Sequence, residues 1–110
     1  MYSLTVRSGG RVRKERLASL SQALDALERS GRELEDSARA QPAGGTLIRR
    51  IEPGQQVVGR VELAGAHRIR AGVDVRGDGS SEAFTGRMRK TLVIQLAGES
   101  PYDALRRVLA

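Results

Sequence analysis

His67 is the only histidine in the chain, and Glu62 and Asp74 flank it in sequence, so an imidazole with neighbouring carboxylates offers the raw material of general acid–base catalysis. Its setting argues for something plainer. Gly65-Ala66-His67 falls between two strand-like runs, where an exposed polar turn residue is expected. A single histidine cannot build a histidine metal site. Asp74, Asp78 and Glu82 around Gly77 and Gly79 contain the ingredients of a calcium loop, but the spacing of an EF-hand and its flanking helices are both missing. Acidic and glycine residues in a hairpin turn account for them.

Nucleophilic chemistry finds no better footing. The chain has no cysteine, which excludes thiolate nucleophiles, cysteine zinc sites and disulfide staples together. No serine sits in a nucleophile-elbow pattern. Gly9-Gly10 and Gly44-Gly45 lack the spaced glycines and the following Lys-Ser or Lys-Thr of a phosphate-binding loop. The expectation is a non-catalytic protein with no cofactor and no metal.

Arginine is what remains. The nineteen basic residues exceed the thirteen acidic ones to give a formal charge of +6, and all but Lys14 and Lys90 are arginine. They gather in two places. Residues 1–16 carry Arg7, Arg11, Arg13, Lys14 and Arg16 against the single acid Glu15. The second group is Arg68, Arg70, Arg87, Arg89 and Lys90, towards the two ends of a later strand-rich segment. A basic surplus of this kind favours polyanionic partners and speaks to association rather than to fold. Arg7, Arg11, Arg13, Arg68, Arg70, Arg87, Arg89 and Lys90 are therefore the expected nucleic-acid contacts. The chain has only three aromatic residues, which speaks against a base-stacking sheet and makes duplex the expected partner rather than a single strand.

Elements able to position these side chains can be read from hydrophobic periodicity. Leu4 and Val6 alternate with Thr5 and Arg7, Ser8-Gly9-Gly10 interrupts, and Val12 begins a second extended run, which together read as a hairpin. A three-residue loop with Gly10 left-handed would set Val6 opposite Val12 and Arg7 opposite Arg11, placing Arg7, Arg11 and Arg13 on one face. From Leu17 the period becomes helical, through Leu20, Leu24, Leu27 and Leu34. Ser19 with Gln22 fits a capping box that starts the helix at Leu20, and Gly31 weakens its second half, which reaches Asp36. Pro53-Gly54 joins a second hairpin, Leu47 to Glu52 with Gln56 to Leu63, whose apolar face is Val57, Val61 and Leu63.

A third hairpin follows. Ile69, Ala71, Val73 and Val75 against Phe84, Gly86 and Met88 require an even loop, met by residues 78–81, which would pair Val75 with Phe84 and Arg70 with Arg89. Thr91 to Leu96 is an apolar run suited to a covered strand or an assembly edge. Ser100-Pro101 opens a last helix with Leu105, Val108 and Leu109 as its buried stripe.

One domain over residues 1–110 is expected. Its fold class is α+β in two layers: a mainly antiparallel sheet of three hairpins, in the order ββα-ββ-βββ-α, with one long and one short C-terminal helix packed on it. The helix acids Asp25, Glu28, Glu33, Glu35 and Asp36 would make the helix acidic against a basic sheet. Met1 to Arg7 lacks the apolar run of a secretory signal and no stretch reaches membrane-spanning length. A cytoplasmic chain with no membrane partner is expected. The alternative to nucleic-acid binding is a protein-interaction module or homodimer using Thr91 to Leu96.

Overall fold

Two helices pack on one face of a six-stranded antiparallel sheet in the computed structural model, which describes residues 1–40, 56–65, 68–86 and 88–109. The elements are β1 (Tyr2–Ser8), β2 (Arg11–Leu17), α1 (Leu20–Ala40), β3 (Val57–Ala64), β4 (Arg70–Arg76), β5 (Ser81–Thr85), β6 (Thr91–Leu92) and α2 (Pro101–Leu109). The strands lie in the order β2-β1-β3-β4-β5-β6. This is the α+β class expected. Leu47 to Glu52 and the Pro53-Gly54 turn lie outside the described residues. No helix among those described is long and apolar enough to cross a membrane.

The core fills the space between sheet and helices. Leu4, Val6, Val61, Leu63, Ala71, Val73, Val75 and Ala83 rise from the sheet to meet Ala23, Leu24, Ala26 and Leu27 of α1 and Tyr102 and Leu105 of α2. Val108, by contrast, is turned outward and exposed, and the buried stripe of α2 is Tyr102, Ala104 and Leu105. Helix α1 begins where its cap requires, since the Gln22 amide donates to Ser19 Oγ at 3.1 Å. Ser100 and Asp103 form a reciprocal box at α2: the Asp103 amide donates to Ser100 Oγ at 3.0 Å, and the Ser100 amide to Asp103 Oδ2 at 3.1 Å. These contacts satisfy amides that a helix start otherwise leaves open.

Gly31 does not interrupt α1, which continues to Ala40. The glycine is there for packing. A Cβ at this position would lie 2.8 Å from both Cε1 and Cζ of Tyr102, so its absence makes the seat for the ring. The Tyr102 hydroxyl donates to the carboxylate of the buried Glu35, which also accepts from Ser81 Oγ at 2.8 Å. Sheet, long helix and short helix meet at this one carboxylate. Burial pushes the Tyr102 phenol well above its ordinary range, and the hydrogen bond to Glu35 and that group's charge push it the same way.

Two hairpin registers differ from the sequence expectation. The first turn is the two-residue Gly9-Gly10 loop, with φ of 58° and 79°, the both-positive form whose twist matches the flanking strands. It pairs Val6 with Arg13, Arg7 with Val12 and Ser8 with Arg11. The mixed pairs are tolerated because β2 is an edge strand, where a long charged side chain escapes to solvent. In the third hairpin Arg76 and Ser80 close the loop through the Arg76 amide, leaving Gly77, Asp78 and left-handed Gly79, with φ of 86°. That odd loop sets Val75 opposite Ser81, Val73 opposite Ala83 and Gly72 opposite Phe84. Arg70 therefore faces no Arg89. Strand β5 ends at Thr85, before Gly86, whose φ of 94° turns the chain away.

Val57 is also displaced from the apolar face expected of it. The register of β3 against β4 shifts between Val57 and Gly59, and this bulge leaves both Val57 and Val58 exposed. Only Thr91 and Leu92 of the apolar run 91–96 form a strand, and they lie at the sheet edge.

Candidate binding face of the sheet

Cross-strand neighbours point to the same side of a sheet, so the register decides which arginines share a surface. On the side away from the helices, the observed pairing gives three rows. The first is Arg16, Ser3, Ala64 and Arg70; the second is Lys14, Thr5, Glu62, Gly72, Phe84 and Leu92; the third is Val12, Arg7, Arg60, Asp74 and Glu82. Arg76 continues this face along β4. The open face consequently carries cations from β1, β2, β3 and β4, with three acids among them.

Those acids are engaged. Arg7 Nε lies 3.2 Å from Glu62 Oε1, Arg60 Nε donates to Asp74, and Arg76 Nη2 lies 2.7 Å from Glu82 Oε1. The hydrogen bond to Asp74 raises the Arg60 guanidinium's pKa against the opposing effect of its burial, so it is fully charged at all working pH. Lys14, Arg16 and Arg70 have no ion-pair partner among the described residues.

Phe84, expected in the core, lies on this open side with only 2% of its surface exposed. Its ring lies over Gly72, where a Cβ would come within 2.6 Å of the ring Cζ. Lys90 Nζ sits 4.6 Å from the ring centroid and the Arg60 guanidinium carbon 5.7 Å from it. Cations over an aromatic face are attracted by the ring quadrupole. The ring is therefore a base that holds positive charge in place, and it offers no free face on which a nucleobase could stack.

The expected contact residues divide accordingly. Arg7, Arg70 and Lys90 come together on the open side. Arg11 and Arg13 belong to the helix side of edge strand β2. Arg13 Nη2 donates to the buried Ser30 Oγ of α1 at 3.1 Å and Nη1 lies 3.7 Å from Glu15, so this arginine braces helix against sheet. Arg68 is exposed before β4 with a left-handed φ of 60°. Arg89 is exposed in the turn after Gly86, and Arg87 lies outside the described residues. Lys14, Arg16, Arg60 and Phe84 join the face unannounced. For Lys14 and Arg16 the signal was the Gly-Gly pair, whose preference for a two-residue turn sets the parity of β2; Arg60 and Phe84 lie on other strands, β3 and β5.

His67 also lies outside the described residues, and Glu62 and Asp74 are each held by an arginine. No cluster of three or more potential metal ligands occurs among the described residues. Nor does the helix side form a simple acidic counterpart to the sheet. Arg106 of α2 bridges Asp25 and Glu28 at 2.8 Å and 2.6 Å, Arg32 pairs with Glu28 at 2.7 Å, and Asp36 is paired with Arg39.

A depression of about 330 Å³ lies across the open face, lined among others by Arg7, Lys14, Glu62, Arg70 and Phe84. Comparison with protein-family models, curated proteins and solved structures finds no match for this chain. The molecule is described by its own geometry: a two-layer α+β protein with a cation-rich open sheet face.

Proposed function

We propose that this chain is a non-catalytic binding module whose open sheet face contacts nucleic-acid phosphate. The observation that carries the reading is the charge of that face: its three acids are all engaged in internal pairs, while among the described residues Lys14, Arg16 and Arg70 have no ion-pair partner and Lys90 sits on the Phe84 ring. Arginine suits phosphate because its planar fork can bond two oxygens at once. Contacts of this type give affinity and orientation without reading bases. Duplex is favoured over single strand because the one aromatic ring of the face is already covered by cations.

Four phosphate contacts correspond to a slope of about −3 to −4 in log K against log salt. Fluorescence anisotropy of labelled duplex and single-stranded DNA and RNA, titrated at several salt concentrations, measures it. Binding to generic duplex with that slope supports the reading. Absence of binding to every probe at low salt removes it.

One observation favours a second reading. Leu92, Ile94 and Leu96 at the β6 edge are 62%, 80% and 56% exposed, a stripe suited to a protein partner or a second copy of the chain. A salt-insensitive dimer in light scattering, with no nucleic-acid binding, would select it.

A further inference from the structure

The depression on the open face has a direction. Its lining runs from Lys14 on β2 to Phe84 on β5, along the row that includes Glu62 and Gly72. Four strand spacings of about 4.8 Å make this roughly 19 Å, perpendicular to the strands. At Gly72 the Phe84 ring fills the space a Cβ would take, so the ring and not a gap forms the floor there. Of the flanking rows, Arg70 lines the depression on one side and Arg7 on the other; Arg16 shares the row of Arg70, and Arg60 reaches over the Phe84 ring. These flanking rows lie four residues apart along each strand, roughly 13 Å. The shape is a shallow trough with Arg70 on one wall and Arg7 on the other.

Inside it lies one anion belonging to the protein. Glu62 holds Arg7 at 3.2 Å, with 38% and 55% of the two side chains exposed. A pair this open to water is weakly held, because solvent screens it and two long side chains must be ordered to make it. A phosphate entering the trough meets Lys14 and Arg70, which have no ion-pair partner among the described residues, and meets Arg7 through exchange with Glu62.

We infer that a single phosphodiester backbone lies along this trough, crossing β2 to β5, and that Glu62 is the internal anion its phosphate displaces from Arg7. This rests on the phosphate-binding reading above and adds a site, an orientation and a competitor to it. The trough receives one strand of a duplex as a ridge, and the protein's own carboxylate sets the affinity below what the cations alone would give.

Glu62→Gln separates the two claims. Removing the carboxylate leaves Arg7 free and ends the repulsion of an incoming phosphate. Generic duplex should then bind up to about fivefold more tightly at low salt, with a salt slope steeper by about 0.9. Lys14→Gln and Arg70→Gln should each flatten the slope by about 0.9, and Arg29→Gln, on the helix side, should leave it unchanged. Amide shifts on titration with duplex should concentrate at Thr5, Glu62, Arg70 and Gly72 and be small at Gly79. A melt of each variant separates a lost contact from a lost fold. If the wild type binds duplex but Glu62→Gln binds equally or more weakly, or the shifts lie elsewhere, the trough is overturned and the phosphate reading stands. If the wild type binds no nucleic acid, both fall together.

Discussion

Gly31→Ala is the substitution on which the packing argument is most exposed. In an ordinary helix interior the change should stabilise by about 1 kcal/mol, since alanine is the better helix former. Here the new Cβ would lie 2.8 Å from two ring carbons of Tyr102, far inside the 3.5–4.0 Å optimum for carbon contacts. The ring has nowhere to go: it is 2% exposed and its hydroxyl is fixed on Glu35. Overpacking costs about 1–3 kcal/mol, and displacing the ring also forfeits a hydrogen bond to a carboxylate, about 1.5–3 kcal/mol. After the helix gain is subtracted, a net loss of about 1.5–5 kcal/mol is expected. Urea denaturation should show the midpoint falling by about 1–2 M at a typical slope. In a Tyr102→Leu background the same glycine change should cost nothing or stabilise, because the obstructing ring is gone, giving a coupling that a double-mutant cycle reads directly. A Gly31→Ala variant about 1 kcal/mol more stable than wild type would refute the seat.

Ser19→Ala and Ser100→Ala should each lose about 1 kcal/mol of stability in the same assay, while Ser21→Ala, past the cap, should do little. Burial raises the pKa of Glu28, but the hydrogen bonds and charges of Arg106 and Arg32 outweigh it and hold the carboxyl below its ordinary value. A depressed folded pKa contributes stability that is present above the unfolded value and lost as pH falls through the folded one. Arg106→Gln should therefore lower the melting temperature at neutral pH, by the equivalent of about 1 kcal/mol, and flatten the fall in stability between neutral pH and strong acid. Tyr102 behaves oppositely: its raised phenol pKa keeps stability intact below the unfolded value of about 10 and removes it as pH rises further. In alkaline titration its phenolate absorbance should appear together with the loss of near-ultraviolet circular dichroism, and an earlier appearance would show the ring to be accessible.

The legible parts of this fold were those whose signals are local. Helix α1 announces itself by leucine period and Ser19, and α2 by Ser100-Pro101, because capping depends on groups three residues apart. Tertiary context decided the rest. A three-residue first turn follows only if valine must face valine, which holds for a central strand covered by helices but fails for β2 at an edge. The alternation of Phe84, Gly86 and Met88 against Ile69, Ala71, Val73 and Val75 points Phe84 inward. The ring instead finds a dry seat on the opposite face, made by Gly72 on the neighbouring strand and by Lys90 folding back past Gly86. Nothing near Phe84 in sequence reports that Gly72 will lie opposite it. The interval between them does: Gly77-Asp78-Gly79 is a three-residue loop with glycine at the left-handed position, and its odd length fixes the partner.

Loop parity also decides the chemistry of the surface. Because side chains alternate with a period of two, one residue more or less in a turn exchanges everything a strand shows to either face. With the two-residue Gly9-Gly10 turn, Arg7 shares the open face with Lys14 and Arg16, while Arg11 and Arg13 go to the helix side, where Arg13 reaches Ser30. A three-residue turn would have put Arg7, Arg11 and Arg13 together and taken Lys14 and Arg16 away. The same composition and the same net charge would then define a different electrostatic surface. The cationic face is thus a property of the two turns and of the strand order that brings β2, β1, β3 and β4 side by side. Counting arginines along the chain identifies the material for such a face, but the register shows that Arg13 serves the fold and that Lys14, its neighbour in sequence, lies on the open face.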